Sequence, residues 1–120
     1  MQYSVTLPVT AENKSLWQND ARETILNILN AAAAQIELMI QGYHSREKVR
    51  KVVFEEGSLQ VLATNEFCLK ANYVVEEYSV CNAIDQVDSE TMLLSISLLK
   101  GGNAMEVKGI DLPEREPDSL

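Results

Sequence analysis

The amino-acid sequence predicts an α+β domain in which an antiparallel sheet of five to six strands curves around one long helix, in the order β-α-β-β-β-β-β. Residues Ser15–Gln41 carry apolar side chains at helical spacing, whereas the chain after Gly42 shows the alternation of strands. A sheet with one buried face needs a cover. Because the helix is the largest apolar element, we expect it to provide that cover.

The predicted helix has two apolar rows whose members follow one another at three or four residues. The rows are Trp17, Ala21, Ile25, Ile28, Ala32, Ile36, Met39 and Tyr43, and Leu26, Leu29, Ala33, Ile36 and Ile40. No glycine or proline interrupts them, which favours one continuous helix. A strand over Gln35–Gln41 after a shorter helix is the alternative, because Ile36, Leu38 and Ile40 alternate.

Both ends of this helix carry capping signals. Ser15 with Gln18 fits a capping box, and Gly42 stands where a left-handed C-terminal cap belongs. Asp20 and Glu23 lie near the positive end of the helix dipole. These signals place the helix boundaries at Ser15 and Gln41.

Strand patterns flank the helix. Before it, Gln2–Leu7 alternates and ends at Pro8, and Thr10–Lys14 reads as a polar connection. After it, two strands are predicted, joined by a hairpin at Glu56-Gly57; they are Lys48–Glu56 and Leu59–Ala63. A short helix over Ser45–Glu56 is the alternative.

Three further strands follow. Their inward residues are Phe67, Leu69, Ala71, Tyr73 and Val75, then Met92, Leu94, Ile96 and Leu98, then Met105 and Val107. The acidic pair Glu76-Glu77 suggests a bulge or an edge, and Tyr78 and Val80 continue the strand beyond it. Asp85–Glu90 reads as an acidic loop, and Gly101-Gly102 as a tight hairpin turn.

Length and composition predict one domain over residues 1–112, followed by a disordered acidic tail over 113–120. No apolar run reaches the ~18 residues of a membrane span, and the N-terminus lacks the pattern of a secretory signal. Without such a signal, Cys68 and Cys81 are expected to be free thiols. We therefore expect a cytoplasmic protein.

The net charge of −8 disfavours direct nucleic-acid binding through a basic face. Four of the ten basic residues nevertheless fall together: Arg46, Lys48, Arg50 and Lys51. One interpretation is an exposed sheet edge protected by charge. The other is a contact for an anion or an acidic partner.

No catalytic, cofactor or metal motif is present in the sequence, and no cofactor is expected. His44 is the only histidine, and it is interpreted as a loop residue just past the helix end. The carboxylates of Glu76, Glu77, Asp85, Asp88 and Glu90 have no metal-ligand spacing and are interpreted as solvated.

The leading functional hypothesis is a small non-enzymatic protein-interaction module (adaptor, assembly factor, chaperone or inhibitor). Surplus apolar residues predict a homo-oligomer, with a dimer favoured, and the candidate interface residues are Leu93, Leu99, Val74 and Tyr78. One alternative follows from the order of elements, which hot-dog and cystatin-like domains share. It is an acyl-thioester hydrolase or ligand binder using Asp20 or Glu23. The other is an acidic nucleic-acid mimic or a regulator of a nucleic-acid-binding protein.

Overall fold

The computed structural model describes residues 2–44, 47–77 and 86–111. These residues form five strands and three α-helices, and the fold is α+β. In chain order the elements are β1 (Ser4–Pro8), α1 (Ala11–Asn19), α2 (Ala21–Ala31), α3 (Ala33–Gln41), β2 (Glu47–Ala63), β3 (Glu66–Glu77), β4 (Gln86–Leu99) and β5 (Ala104–Lys108).

The strands form one antiparallel sheet in the order β1-β5-β4-β3-β2. Strands β2 to β5 form a meander, and β1 pairs with the far side of β5. The first and second strands of the chain therefore form the two edges of the sheet. Helix α3 contacts both of these edge strands, and α2 contacts β2.

One face of the sheet packs against the helices. The alternation predicted for β3 is confirmed, since its five inward residues from Phe67 to Val75 are all buried. The β4 partners of Phe67, Leu69 and Ala71 are buried too, whereas Glu90 and Asp88, which lie opposite Tyr73 and Val75, are exposed. Helices α2 and α3 contribute the opposite wall of the core. The fully enclosed residues include Leu69, Leu94, Ile96, Met105 and Val107 from the sheet, and Ile25, Leu29, Ile36 and Ile40 from the helices.

The prediction of one long helix is wrong, because the segment divides at Asp20 and at Ala32. Asp20 has extended backbone angles (φ −152°, ψ 90°), and its N–H bonds the Leu16 carbonyl to close α1. Its carboxylate then accepts the Glu23 N–H at 3.1 Å and caps α2. One aspartate thus ends one helix and begins the next.

The predicted helix boundaries also change. Helix α1 begins at Ala11, because the Thr10 hydroxyl accepts the Asn13 N–H at 3.1 Å, so residues 10–14 are not a loose connection. At the other end, residues 35–41 belong to helix α3, which excludes the alternative strand. Gly42 has right-handed angles (φ −60°) and does not form the predicted left-handed cap. A Cβ there would lie 3.2 Å from the Tyr3 ring, so the glycine allows close packing.

Strand β2 is continuous from Glu47 to Ala63, so the predicted hairpin at Glu56-Gly57 and the alternative helix over residues 45–56 are both wrong. The glycine lies in a wide bulge, where the register with β3 shifts between Glu55 and Gln60. Ser58 Oγ holds this bulge by donating to the Glu55 carbonyl (2.6 Å) and accepting the Lys70 N–H (2.8 Å). The hairpin between β2 and β3 instead turns at residues 64–65.

Two other predictions about the sheet need correction. Strand β3 pairs without interruption through Glu76 and Glu77, and it lies inside the sheet, so these acids mark neither a bulge nor an edge. Residues 86–90 belong to β4 and are not a loop. The turn at Gly101 and Gly102 is confirmed, with φ of 68° and 76°.

Several predictions fall outside the described residues. They concern Arg46, Tyr78, Val80, Cys81 and the tail over 113–120. Across residues 2–44, 47–77 and 86–111, none of the helices is long and apolar enough to cross a membrane.

Candidate functional site

Strand β2 is an open edge of the sheet with exposed apolar side chains. It pairs with β3 on one side, and none of the described strands pairs with its other side. The exposed fractions of Val53, Val61 and Leu62 are 60%, 67% and 60%. Unpaired backbone groups beside apolar side chains are what a sheet edge offers to another chain.

The basic residues predicted from the sequence lie on this edge strand. Lys48, Arg50 and Lys51 are exposed, which agrees with either interpretation of the cluster. Arg50 Nη1 lies 3.0 Å and 3.1 Å from the two carboxylate oxygens of Glu76 on β3. The guanidinium of Arg50 is therefore already engaged with one carboxylate.

A bulge follows Arg50. Lys51 and Val52 together oppose a single residue of β3, because the register moves from Arg50–Val74 to Val53–Asn72. Lys51 has a φ of 55°, a left-handed conformation that costs a non-glycine residue roughly 1–2 kcal/mol. Bulges of this kind twist an edge and limit how much of it another strand can pair with.

The predicted oligomer residues do not meet in one patch. Val74, Leu93 and Leu99 share the outer face of the sheet, and Leu93 is 46% exposed. Leu93 and Leu99 are separated by roughly 20 Å along β4, at about 3.4 Å per residue, with Ser95 and Ser97 between them on that face. Across the ladder Leu93 faces Lys70 and Val74 faces Ser89. The fourth predicted residue, Tyr78, lies outside the described residues.

His44 takes part in a partly buried network at the junction of α3 and the sheet. Its Nδ1 lies 3.0 Å from Glu47 Oε1, and its Nε2 lies 2.9 Å from the Tyr73 hydroxyl. Burial raises the pKa of Tyr73 to about 12, and the nearby carboxylates of Glu90 and Glu47 add to this effect. The phenol therefore stays protonated at neutral pH.

Gln41 fixes the chain that carries this network. Its side-chain amide donates to the carbonyls of His44 (2.8 Å) and Glu47 (2.7 Å), and its side-chain oxygen accepts the Val49 N–H (2.8 Å). The last residue of α3 thus connects the helix to the first residues of β2. Both nitrogens of His44 are occupied, so the interpretation of His44 as a structural loop residue agrees with the geometry.

Two surface clefts lie beside α1. One, of about 190 Å³, lies between α1 and the glycine turn and is lined by Val9, Lys14, Trp17, Gln18, Leu98, Gly101 and Gly102. The other, of about 200 Å³, is lined by Leu16, Asn19, Asp20, Glu23, Thr24 and Asn27. Asp20 and Glu23, the carboxylates considered for catalysis, line this second cleft, but the Asp20 carboxylate caps α2.

Residues that could bind a metal or supply a thiol can be located in the described part of the chain. No group of three or more His, Cys, Asp or Glu side chains there is arranged to hold a metal ion. Cys68 is a buried free thiol on β3, with Sγ 3.9 Å from Gln60 Oε1. The carboxylates of Asp88 and Glu90 lie on exposed residues of β4, as expected for solvated acids.

The charge pattern of β2 could have been read from the sequence. Residues 50–56 read Arg-Lys-Val-Val-Phe-Glu-Glu, a short apolar run with two cations before it and two acids after it. What the sequence does not reveal is that this run lies on an edge, because the strand order determines that. The cleft beside Trp17 had no local signal, because residues from two distant parts of the chain, 9–18 and 98–102, line it together.

Comparisons with protein-family models, with curated proteins and with solved structures find no match to this chain.

Proposed function

We propose that this protein is a small non-enzymatic interaction module that binds another polypeptide through the open edge of β2. The observation that carries the proposal is the exposure of Val53, Val61 and Leu62 along this edge. A strand added there would gain backbone hydrogen bonds, and the exposed apolar side chains would gain contact area.

The charge on the same strand supports a protein partner. The chain carries −8 overall, yet Lys48, Arg50 and Lys51 are exposed together on β2. A partner strand that carries both cations and acids would find opposite charges for both on this edge. Elsewhere the surface is mainly acidic and would repel the acids of such a strand. The bulge at Lys51 restricts pairing to a short stretch, which suits selective, weak binding.

Two of the groups considered for catalysis, Asp20 and His44, have structural partners in the described residues. Asp20 caps α2, and both ring nitrogens of His44 are within hydrogen-bonding distance of Glu47 and Tyr73. These contacts favour a non-enzymatic role. The acyl-thioester and nucleic-acid-mimic hypotheses stay predictions, because no particular observation favours them.

The test compares capture by the wild-type protein with capture by two variants of equal charge. Val53→Asp places an acid on the edge of β2, and Leu38→Asp places the same acid on α3 at a residue that is 73% exposed. Each protein bound by the wild type, including an untagged copy of the chain itself, is then purified and tested as a binary complex.

We expect Val53→Asp to abolish the binary interaction and Leu38→Asp to retain it. Both variants should keep the circular dichroism of the wild type, because both residues are exposed. Binding that survives Val53→Asp, or that both variants lose equally, would place the interaction elsewhere and overturn the proposal.

A further inference from the structure

We infer that the partner of the β2 edge is a second copy of this chain, paired antiparallel with Val53 on the two-fold axis. This inference rests on the proposed function, since it names the occupant of the same edge. The two copies would extend one sheet across the axis, with both helical layers on the same side. Two-fold pairing of this kind closes the assembly at two copies.

Strand β2 is complementary to itself in charge. Arg50 and Lys51 precede Val53 along the strand, and Glu55 and Glu56 follow it. In antiparallel pairing centred on Val53, Lys51 faces the partner's Glu55 and Arg50 faces the partner's Glu56. Because the pairing is symmetric, each contact occurs twice. Lys51 gains a new carboxylate in this way, whereas the Arg50 guanidinium already contacts Glu76 of its own chain.

The buried and exposed faces of β2 also match those of a second β2 strand in this register. Phe54 is buried against the core and Val52 is packed beside it, whereas Val53 points to the opposite, exposed side. Residues opposite each other in an antiparallel ladder share a face. The same register therefore sets Val52 against the partner's Phe54 on the helical side. On the other side, Val53 meets its own counterpart, and its exposed surface is buried.

The rest of the protein surface disfavours self-association. Two copies that each carry −8 repel each other wherever acids meet acids. Four of the ten basic residues of the chain lie within positions 46–51, beside the acids at 55 and 56. Glu76 of the same chain already contacts Arg50, and pairing through β2 adds the partner's Glu55 as a carboxylate for Lys51.

The two bulges of β2 set the strength and the extent of the pairing. The register with β3 shifts between Arg50 and Val53 and again between Glu55 and Gln60, so regular pairing is confined to residues 53–55, and Lys51 reaches the partner's Glu55 from the bulge beside them. Exposed ion pairs contribute only about 0–1 kcal/mol each, so the dimer should dissociate in the micromolar range or above. The same bulges prevent continuous pairing along the strand and so oppose the growth of fibres.

The experiment uses charge reversal at the two positions that face each other. Lys51→Glu alone and Glu55→Lys alone each make both contacts between positions 51 and 55 repulsive. When the two variants are mixed, both contacts become attractive again. The introduced glutamate of one chain then faces the introduced lysine of the other, and the native Glu55 of the first chain faces the native Lys51 of the second. The double variant Lys51→Glu/Glu55→Lys also restores both contacts within a homodimer.

Sedimentation velocity and native mass spectrometry would follow these proteins from micromolar to near-millimolar concentration. We expect the wild type and the double variant to dimerise, and each single variant to lose about tenfold or more in affinity. An equimolar mixture of the single variants should form the heterodimer. Glu12→Lys changes the net charge as Glu55→Lys does, but at an exposed site on α1, and should dimerise like the wild type or better.

This register would be overturned if neither single substitution lowered the dimer affinity. It would also be overturned if the two single variants failed to form the heterodimer when mixed. A wild-type chain that stays monomeric at every concentration would overturn the second copy as the partner. In that case the proposed function would still stand if a different captured protein lost its binding to Val53→Asp. The two claims therefore fail by different results.

Discussion

The Nε2 atom of His44 lies 2.9 Å from the hydroxyl oxygen of Tyr73. The two rings meet edge to face, with centroids 5.5 Å apart. His44 follows the end of α3, whereas Tyr73 lies in the middle of β3, so this contact joins the helical layer to the sheet. Because Tyr73 is only 4% exposed, its ionisation is coupled to folding.

The first prediction concerns this coupling at alkaline pH. Burial raises the pKa of Tyr73 from 10.0 to about 12, so the unfolded chain loses this proton before the folded protein does. The stabilisation is complete below about pH 10 and is lost as the pH rises towards 12, by no more than about 1.4 kcal/mol per pH unit. Tyr73→Phe removes the ionisable group.

Urea denaturation of both proteins across this pH range provides the measurement. We expect the free energy of unfolding to fall more steeply for the wild type than for Tyr73→Phe, because the other tyrosines and the lysines titrate in both. If the free energy of unfolding falls equally steeply with pH for both proteins, folding does not raise the pKa of Tyr73.

The second prediction concerns Gln41, whose side chain makes three hydrogen bonds to the backbone at the start of β2. Gln41→Met keeps the length of the side chain but removes all three bonds, and we expect a loss of about 1–3 kcal/mol. Gln35→Met is the matched control, because Gln35 is exposed on the same helix. A Gln41 variant as stable as this control in chemical denaturation would contradict the assigned role.

The third prediction concerns the packing of Tyr43 against Gly109. The Tyr43 hydroxyl accepts the Tyr3 N–H at 2.9 Å and donates to the Ile110 carbonyl at 2.8 Å, and a Cβ on Gly109 would lie 2.5 Å from it. Gly109→Ala should therefore displace the ring and destabilise the protein by about 1–3 kcal/mol.

Gly57→Ala provides the control for this substitution. A Cβ at Gly57 meets nothing within 4 Å, so this alanine should change the melting temperature little or raise it, with a gain of up to about 1 kcal/mol. Equal melting temperatures for the two variants would mean that Tyr43 yields to the added methyl group.

The fourth prediction concerns the helical layer. Ile28 on α2 is 5% exposed, whereas Leu38 on α3 is 73% exposed. Ile28→Asp buries an unpaired carboxylate and should cost about 3–5 kcal/mol, enough to unfold or aggregate a domain of ordinary stability. Leu38→Asp should fold normally. A soluble Ile28→Asp variant with an unchanged circular dichroism spectrum would contradict the placement of α2 in the core.

The sheet was more predictable from the sequence than the helices. Strict alternation in β3 and β4 fixes which face is buried, and the paired glycines fix the turn before β5. Asp20 followed by Glu23 is itself a capping signature, but the unbroken apolar rows around it favoured one helix. Ala32 gave no signal, because alanine is the best helix former, although its backbone angles (φ −108°, ψ 20°) leave the helical range.

Strand β2 shows the limit of local signals most clearly. Gly57 between two apolar runs indicates a hairpin, yet the strand continues through it as a bulge, held by Ser58. The composition of the open edge was visible in residues 50–56, but its exposure depends on strand order, which is set by long-range pairing.

Hydrogen exchange of the β2 amides tests the central claim, that the edge of β2 is the binding surface, most directly. It would be measured over a range of protein concentrations and with any captured partner, using the other edge strand, β1, as an internal reference. We expect exchange around residues 50–56 to slow as the partner or a second copy binds, while exchange in β1 is unchanged. Exchange in β2 that is unaffected at every concentration and by every binding partner would contradict the account.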